Sequence, residues 1–443
     1  MARTDLDMTR GTIWRQLLAF SLPMALGLLF QQMYNMVDLM VVGQFVSEEA
    51  QAAVSATGPI INTIVGFCAG LATGASVIIS QRYGARDQQG LSRAVHTTIT
   101  LTFAVSILAS ILGQWIIDPM LRFMDTPANV LEDARAYLSI YFAGIAGVLF
   151  YNMGSGILRA VGDSRRPLVF LIISALLNTV LDLLFVLVFK MRVDGVAYAT
   201  ILSQIISALL ILIALTREDA AYGLRWRQLG VDRESLRGIL RLGLPSSIQS
   251  AITAFSNVFV QSYINAFGSS CMAGYGIYGK VDAFVLIPVQ SISMASSTFV
   301  GQNWGAKQKR RARDGARTAL LMSIGATVAL GILVFLLART LLGVFSPVDE
   351  VVAYGERFIR IVTPFYVTIC FNQILAGALR GIGDATAPTV IMLCSFVAFR
   401  QIYLAVTKAL GAGFLAVALA YPMGWIMCST LLVIRYRKSA LFR

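Results

Sequence analysis

Six residues between Gly156 and Pro167 return 221 positions later in the same chain. Gly156, Leu158, Arg159, Gly162, Asp163 and Pro167 recur as Gly377, Leu379, Arg380, Gly383, Asp384 and Pro388. Gln81, Gly84 and Ala85 recur at the same spacing as Gln302, Gly305 and Ala306. Leu22-Pro23 returns as Leu244-Pro245, 222 positions on. Three blocks sharing one spacing indicate a duplicated chain, in which each half builds the same arrangement. Twelve apolar runs, near 17–42, 54–80, 94–117, 134–157, 167–190, 194–215, 238–266, 272–300, 316–338, 351–375, 386–409 and 413–434, divide six to each half. Runs of this length suffice to cross a hydrocarbon core of roughly 30 Å. An even number of crossings returns the chain to its starting side, so the halves are parallel repeats about an axis along the membrane normal. The expected fold is an all-α polytopic membrane protein with twelve transmembrane helices in two pseudo-symmetric six-helix lobes. Residues 1–216 form the N-lobe, 217–236 a polar cytoplasmic linker and 237–443 the C-lobe.

Charged residues make up 13% of the chain and hydrophobic ones 57%, whereas soluble domains carry roughly 25% charged residues. A net charge of +13 raises nucleic-acid binding, and its distribution argues against it. Of 36 Lys and Arg, 26 lie at the N-terminus, in alternate loops or in the tail, and 8 lie in the opposite loops. The first group includes Arg3, Arg10, Arg15, the Arg217–Arg241 stretch, Lys307–Arg317 and Arg435–Arg443. That asymmetry is the positive-inside bias, which places both termini in the cytoplasm and the chain in the cytoplasmic membrane of a prokaryote. The polar N-terminus (Asp5, Asp7, Arg10) shows no cleavable-signal pattern, so the first run serves as the insertion signal. Cys68, Cys271, Cys370, Cys394 and Cys428 lack metal-ligand spacing and read as small membrane-buried residues. No nucleotide-binding motif and no repeated selectivity-filter loop occur, so a hydrolytic pump and a channel are both disfavoured. A duplicated pair of lobes is a plan of secondary transporters. No enzyme activity and no cofactor are expected.

An ionisable side chain inside a membrane span marks a functional site by default. Asp38, Asp182, Lys280, Asp282 and Arg400 are such residues. Asn178 and Asp182 share a helix face at i, i+4. At about 1.5 Å per residue, Asp182 stands roughly 22 Å above Pro167, and Thr200 roughly 9 Å below Asp194 on the descending neighbour. Asp38 falls in the same outer half. Asp38, Asn178, Asp182 and Thr200 can therefore converge on one oxygen-lined pocket, suited to a proton or Na+ and not to a soft metal. Two carboxylates in so poorly solvated a place cannot both ionise cheaply. Lys280, Asp282 and Arg400 form a possible second charge network in the C-lobe, read chiefly as an internal pairing of Asp282 with Lys280 or Arg400. At the repeat spacing Asp38, Asn178 and Asp182 map to Val260, Phe399 and Tyr403, so the fold is duplicated and the cation site is not. His96, the one histidine, reads as an interfacial residue. Pro23, Pro245, Pro288 and Pro364 free carbonyls inside or near the starts of spans and permit bends there.

The two-lobed plan, Pro23 in span 1, Asp38 near its outer end, Gln81-Arg82-Tyr83-Gly84-Ala85 and Leu158-Arg159-Ala160-Val161-Gly162-Asp163 resemble the multidrug and toxic compound extrusion (MATE) family. Asp38, Asn178, Asp182 and Thr200 are similar in type and spacing to the N-lobe cation site of its DinF-like branch. The resemblance implies an antiporter that expels organic, often cationic, amphipathic compounds against inward H+ or Na+ flow. Another branch carries an acid in span 7, and Pro245–Phe267 has none. Amides and tyrosines interrupting apolar helices mark a substrate cavity: Gln31, Tyr34, Asn35, Tyr151, Asn152, Gln249, Asn257, Asn372 and Gln373. The same amides can instead bond helix to helix. The partners expected are small organic molecules and lipid, with a monomeric chain. The rival reading is a flippase or exporter of a lipid-linked or metabolic substrate with the same architecture.

Overall fold

Backbone N–H and C=O groups have no water to bond in a bilayer core, so an apolar chain satisfies them within helices. The computed structural model describes residues 6–124 and 126–442; Arg3, Asp5 and Arg443 lie outside it. Helical spans follow one another at the expected positions. Helix 1 is Ile13–Phe45, helix 2 Glu48–Gly84, helix 3 Gln88–Phe123 and helix 4 Ala128–Ala143 continued by Ile145–Ala160. Helix 5 is Arg165–Leu183 with a π turn at Leu184–Val188, and helix 6 is Val193–Thr216. Helix 7 is Arg233–Asn265, helix 8 Ser269–Gly305, helix 9 Lys309–Leu336 and helix 10 Asp349–Val362 continued by Tyr366–Gly381. Helix 11 runs through Thr386–Leu393, a π segment Cys394–Phe399 and Arg400–Ala409; helix 12 is Phe414–Ala418 and Ala420–Arg437.

Ten of these are long and apolar enough to span a membrane, and helix 4, bent by 50°, makes eleven if its halves count as one crossing. Helix 7 has 33 residues but is diluted by Ser246, Ser247, Gln249, Ser250, Thr253, Ser256, Asn257, Gln261 and Ser262. Among the described residues helix 7 is thus the one of the twelve expected spans that falls short of that apolar length.

The duplication is written into the backbone. Arg86 and Lys307 both take a left-handed conformation (φ 56 and 60), as do Gly162 and Gly383 (95 and 93) and Lys190 and Gly411 (57 and 63). Each pair is separated by the repeat spacing. For arginine and lysine that conformation costs roughly 1–2 kcal/mol, so the turn after helix 2 and helix 8 is imposed by what surrounds it. The repeated Gly-Asp after helix 4 and helix 10 also has a local reason. Gly supplies the positive φ, and the Asp oxygen then accepts the first backbone N–H groups of the next helix. Asp163 Oδ1 accepts from Arg165 and Arg166 at 3.0 and 3.1 Å, and Asp384 Oδ1 from Ala387 at 3.2 Å.

Two compact units emerge, and their boundaries differ from the expected 1–216, 217–236 and 237–443. The first comprises residues 6–7 and Leu26–Ser247; the second comprises Met8–Ala25 and residues 248–442. The changeovers fall two residues after Pro23 and Pro245, the positions where a missing N–H loosens the helix. In the first unit, helix 2 meets the first half of helix 7 backbone to backbone. A Cβ on Gly70 would stand 2.3 Å from the Ser247 nitrogen, and one on Gly74 2.5 Å from the Gly243 nitrogen. Ser247 Oγ donates to the Phe67 carbonyl at 2.6 Å across that crossing. The segment before helix 7 is pinned to helix 3: Arg225 N–H donates to His96 Nε2 at 3.0 Å and Asp232 N–H to Thr97 Oγ1 at 2.9 Å. His96 is thus a buried bracket with Nδ1–H directed at the Ser92 carbonyl, 2.7 Å away. In the second unit, Met8 is fully buried. Its N–H donates to Gln302 Oε1 at 3.0 Å, and its carbonyl accepts from Asn303 Nδ2 at 3.1 Å and from Arg311 Nε and Nη2 at 3.2 Å.

Candidate functional site

Helices 1, 5 and 6 deliver Asp38, Asn178, Asp182 and Thr200 to one place inside the first unit, and all four are buried. With the Asn178 amide turned so that donors meet acceptors, its nitrogen donates to Asp38 Oδ1 at 2.7 Å and to Asp182 Oδ2 at 3.2 Å. Its oxygen accepts the Thr200 backbone N–H at 3.2 Å. Two carboxylate oxygens bonded by one nitrogen lie less than about 6 Å apart, since each bond is near 3 Å. Among the described residues no hydrogen bond reaches the buried Asp182 Oδ1, and Thr200 Oγ1 is buried in the same space. Orphaned buried oxygens are rare in folded proteins and point to a missing proton, water or ion.

The surroundings are otherwise apolar or aromatic. Tyr34 stands one turn before Asp38 on the same face, and Tyr137 and Tyr141 approach from helix 4. Val41, Val186, Val193, Val196, Ala197 and Ile201 pack around them. Helix 5 changes to its π turn at Leu184, two residues past Asp182, and such turns concentrate at functional sites. Tyr137 and Tyr141, absent from the expected site, have one sequence signal, two tyrosines at i, i+4 on a span that turns at Gly144.

The three charges of the second unit do not form the expected network. Lys280 and Asp282 are two apart on helix 8 and point to different sides. Lys280 is exposed, with Nζ over the Phe345 ring at 5.4 Å. Arg400 is 4% exposed and donates from Nη2 to Ser256 Oγ and Asn257 Oδ1, both at 2.9 Å, while its guanidinium lies over Tyr421 at 5.0 Å. Asp282 instead accepts from two phenols, Tyr366 at 2.5 Å and Tyr278 at 3.2 Å. No ion pair joins Asp282 to either cation among the described residues. Val260, opposite Asp38 in the repeat, is buried among apolar residues, and the Phe399 and Tyr403 rings lie 6.4 Å apart between centroids, tilted by 34°.

The candidate cavity residues divide. Asn372 is buried and bonded between helices, donating to the Trp425 carbonyl at 3.2 Å and accepting from Ser429 Oγ at 2.9 Å. Its amide thus joins helix 10 to helix 12. Tyr151 donates to the Pro167 carbonyl at 3.2 Å and Asn152 to Val148 at 2.8 Å. Gln249 accepts from Arg380 Nη2 at 3.0 Å, and Asn257 from Arg400. Gln31 and Asn35 are exposed on helix 1, while Tyr34 and Gln373 are half-buried.

The MatE family model matches the chain twice, over residues 23–184 and 245–407. The probable multidrug resistance protein YoeA of Bacillus subtilis is 30% identical over 394 residues, covering 87% of this chain and 85% of the relative. The probable multidrug resistance protein YpnP of the same organism is 29% identical over 431 residues, covering 97% and 96%. A multidrug resistance MATE family transporter solved in an outward-facing conformation superposes with a TM-score of 0.94 at 24% identity, with both chains fully covered. That last likeness is one of fold.

Proposed function

The chain belongs to the MATE family of membrane transporters, and we propose that it is a secondary exporter coupled to cation entry through Asp38 and Asp182. The observation that carries this reading is the buried carboxylate pair sharing one amide, with Asp182 Oδ1 left unpartnered among the described residues. Two charges so close in a poorly solvated pocket demand a proton or a cation. Asp38 and Asp182 hold the coupling charge, Asn178 orients both carboxylates, and Thr200 offers a hydroxyl to the same space. Asp38 sits on helix 1, which Pro23 frees to bend. Filling the pocket with H+ or Na+ removes the repulsion and biases helix 1 toward one packing, so loading and unloading alternate the access of the cargo. The cargo class is organic and amphipathic, commonly cationic, exported across the cytoplasmic membrane with both chain termini on the basic, cytoplasmic side.

The test is efflux of a fluorescent organic cation from proteoliposomes with pH and Na+ gradients imposed separately. Wild type should concentrate the cation against its gradient under one of the two. Asp182→Asn should lose at least tenfold of that uphill transport while retaining its fold. Near-normal uphill transport by properly folded Asp182→Asn would overturn the reading.

A further inference from the structure

The start of helix 7 carries positive charge that the first unit leaves unanswered. Arg233, Arg237 and Arg241 follow one another at i, i+4 and i+8, so they line one face, and all three are exposed. The opposite face buries Ile239 and Gly243 against helix 2. Among the described residues no ion pair or hydrogen bond reaches any of the three guanidinium groups. The two acids beside them are already engaged, Glu234 by Arg82 and Asp232 by Ser235 and Arg93. This arrangement works against the helix on two counts. Like charges at i, i+4 repel, and Arg233, in the opening turn, faces the positive end of the helix dipole. Helix 2 gives the depth of the stripe. Arg82 bonds Glu234, a Cβ on Gly238 would stand 2.8 Å from Ile78 Cδ1, and one on Gly74 2.5 Å from the Gly243 nitrogen. Position 234 is therefore level with residue 82 of helix 2, and position 241 with the stretch between 74 and 78. The apolar run of helix 2 ends near residue 80, so the three arginines straddle the edge of the hydrocarbon layer. Leu244 follows on their face, 38% exposed, where lipid chains begin.

We propose that Arg233, Arg237 and Arg241 bind the phosphate of an anionic phospholipid, which anchors the start of helix 7 to one leaflet. A guanidinium takes a phosphate through two parallel N–H···O bonds. Arg241 reaches headgroup level by laying its side chain along the helix, its stem in apolar surroundings and its charge at the interface. A bound phosphate removes the repulsion along the stripe and supplies the negative charge that the first turn of a helix favours. Helix 7 is also the expected span that falls short of apolar length, so burial alone holds it in the bilayer less firmly than its neighbours, and a headgroup contact adds to that hold. At the repeat spacing of 222, helix 1 carries Gly11, Arg15 and Ala19 at these positions. The stripe is therefore not a by-product of the duplicated fold. Naming the leaflet as the cytoplasmic one rests on the charge bias of the chain; the site itself does not.

Thermal unfolding of the full chain in nanodiscs of phosphatidylglycerol or of phosphatidylcholine tests the proposal. Wild type should melt several degrees higher in the anionic lipid. The triple variant Arg233→Gln, Arg237→Gln, Arg241→Gln should lose that gain. In phosphatidylcholine it should melt no lower than wild type, since the repulsion is gone and glutamine suits a helix about as well as arginine. Arg86→Gln combined with Arg217→Gln removes two exposed charges from other turns and should keep the gain. Native mass spectrometry of the detergent-purified chain titrated with phosphatidylglycerol reads the affinity directly. One cation near an anionic surface is worth roughly fivefold, so Arg241→Gln alone should weaken binding by about that factor and the triple variant by more than about tenfold. Inorganic phosphate at matched ionic strength should not displace the lipid. A triple variant that gains as much from phosphatidylglycerol as wild type, or displacement of the lipid by inorganic phosphate, would overturn the proposal.

Discussion

Asn178 makes one pocket out of two carboxylates, because a single amide nitrogen reaches both. Residues that act through one shared group are non-additive. Asp38→Asn and Asp182→Asn should each abolish gradient-driven export, and the double variant should lose little more than either. Losses that multiply, measured as initial uphill rates at equal protein, would show two independent sites. At this scale the sequence was readable where spacing and depth decide the matter: Asn178 and Asp182 share a face, and Thr200 on the next helix falls at their level. Asp282 was not readable. Its partners are Tyr278, which precedes it by one turn, and Tyr366, which lies 84 positions away. A phenol in an apolar helix looks like core packing until the fold shows which carboxylate it faces. The expected pairing of Asp282 with Lys280 or Arg400 is not made, because Lys280 leaves helix 8 on another side and Arg400 is engaged by Ser256 and Asn257.

At the level of elements, the crossing of helix 2 with helix 7 rests on absent side chains. Gly70 and Gly74 let backbones approach so closely that any Cβ would collide with Ser247 or Gly243 backbone. Gly70→Leu should force the helices apart and lower thermal stability steeply, by more than the ~1–3 kcal/mol usual for overpacking; an unchanged melting temperature in detergent would refute the account. The start of helix 7 carries a different kind of support. Asp232 Oδ2 accepts from the Ser235 hydroxyl at 2.7 Å and its N–H at 2.8 Å, with Arg93 beside it at 3.9 Å. The Ser235 bonds, with Arg93 and Arg82, hold this loop carboxyl below its ordinary value. A depressed carboxyl stabilises the fold above its unfolded value, about 3.9, and that contribution is lost as pH falls through the lower folded value. Asp232→Ala should therefore melt earlier than wild type at pH 7, with the gap narrowing below about pH 4. A gap that widens in acid would contradict the sign. Helix positions were legible because apolar length declares them; the π segments were not, since one extra residue in a turn leaves no periodic trace.

For the whole molecule, the duplication was legible and the exchange of helix halves was not. Repeated motifs report that two halves are alike, but not that residues 8–25 belong with 248–442. The exchange depends on contacts such as those around Met8, whose buried N–H rests on Gln302. Gln302→Leu should leave that N–H unsatisfied and cost roughly 1–3 kcal/mol, seen as a lower melting temperature with membrane insertion unchanged; no shift would mean water or another group takes the bond. The same arrangement sets an order of events at the ribosome. Residues 8–25 are synthesised well before their partners, for Met8 is 294, 295 and 303 positions ahead of Gln302, Asn303 and Arg311. The first unit has its last piece once Ser247 emerges. Residues 8–25 of the second unit therefore wait in the nascent chain while the whole of Leu26–Ser247 is made, before the surface that buries them exists.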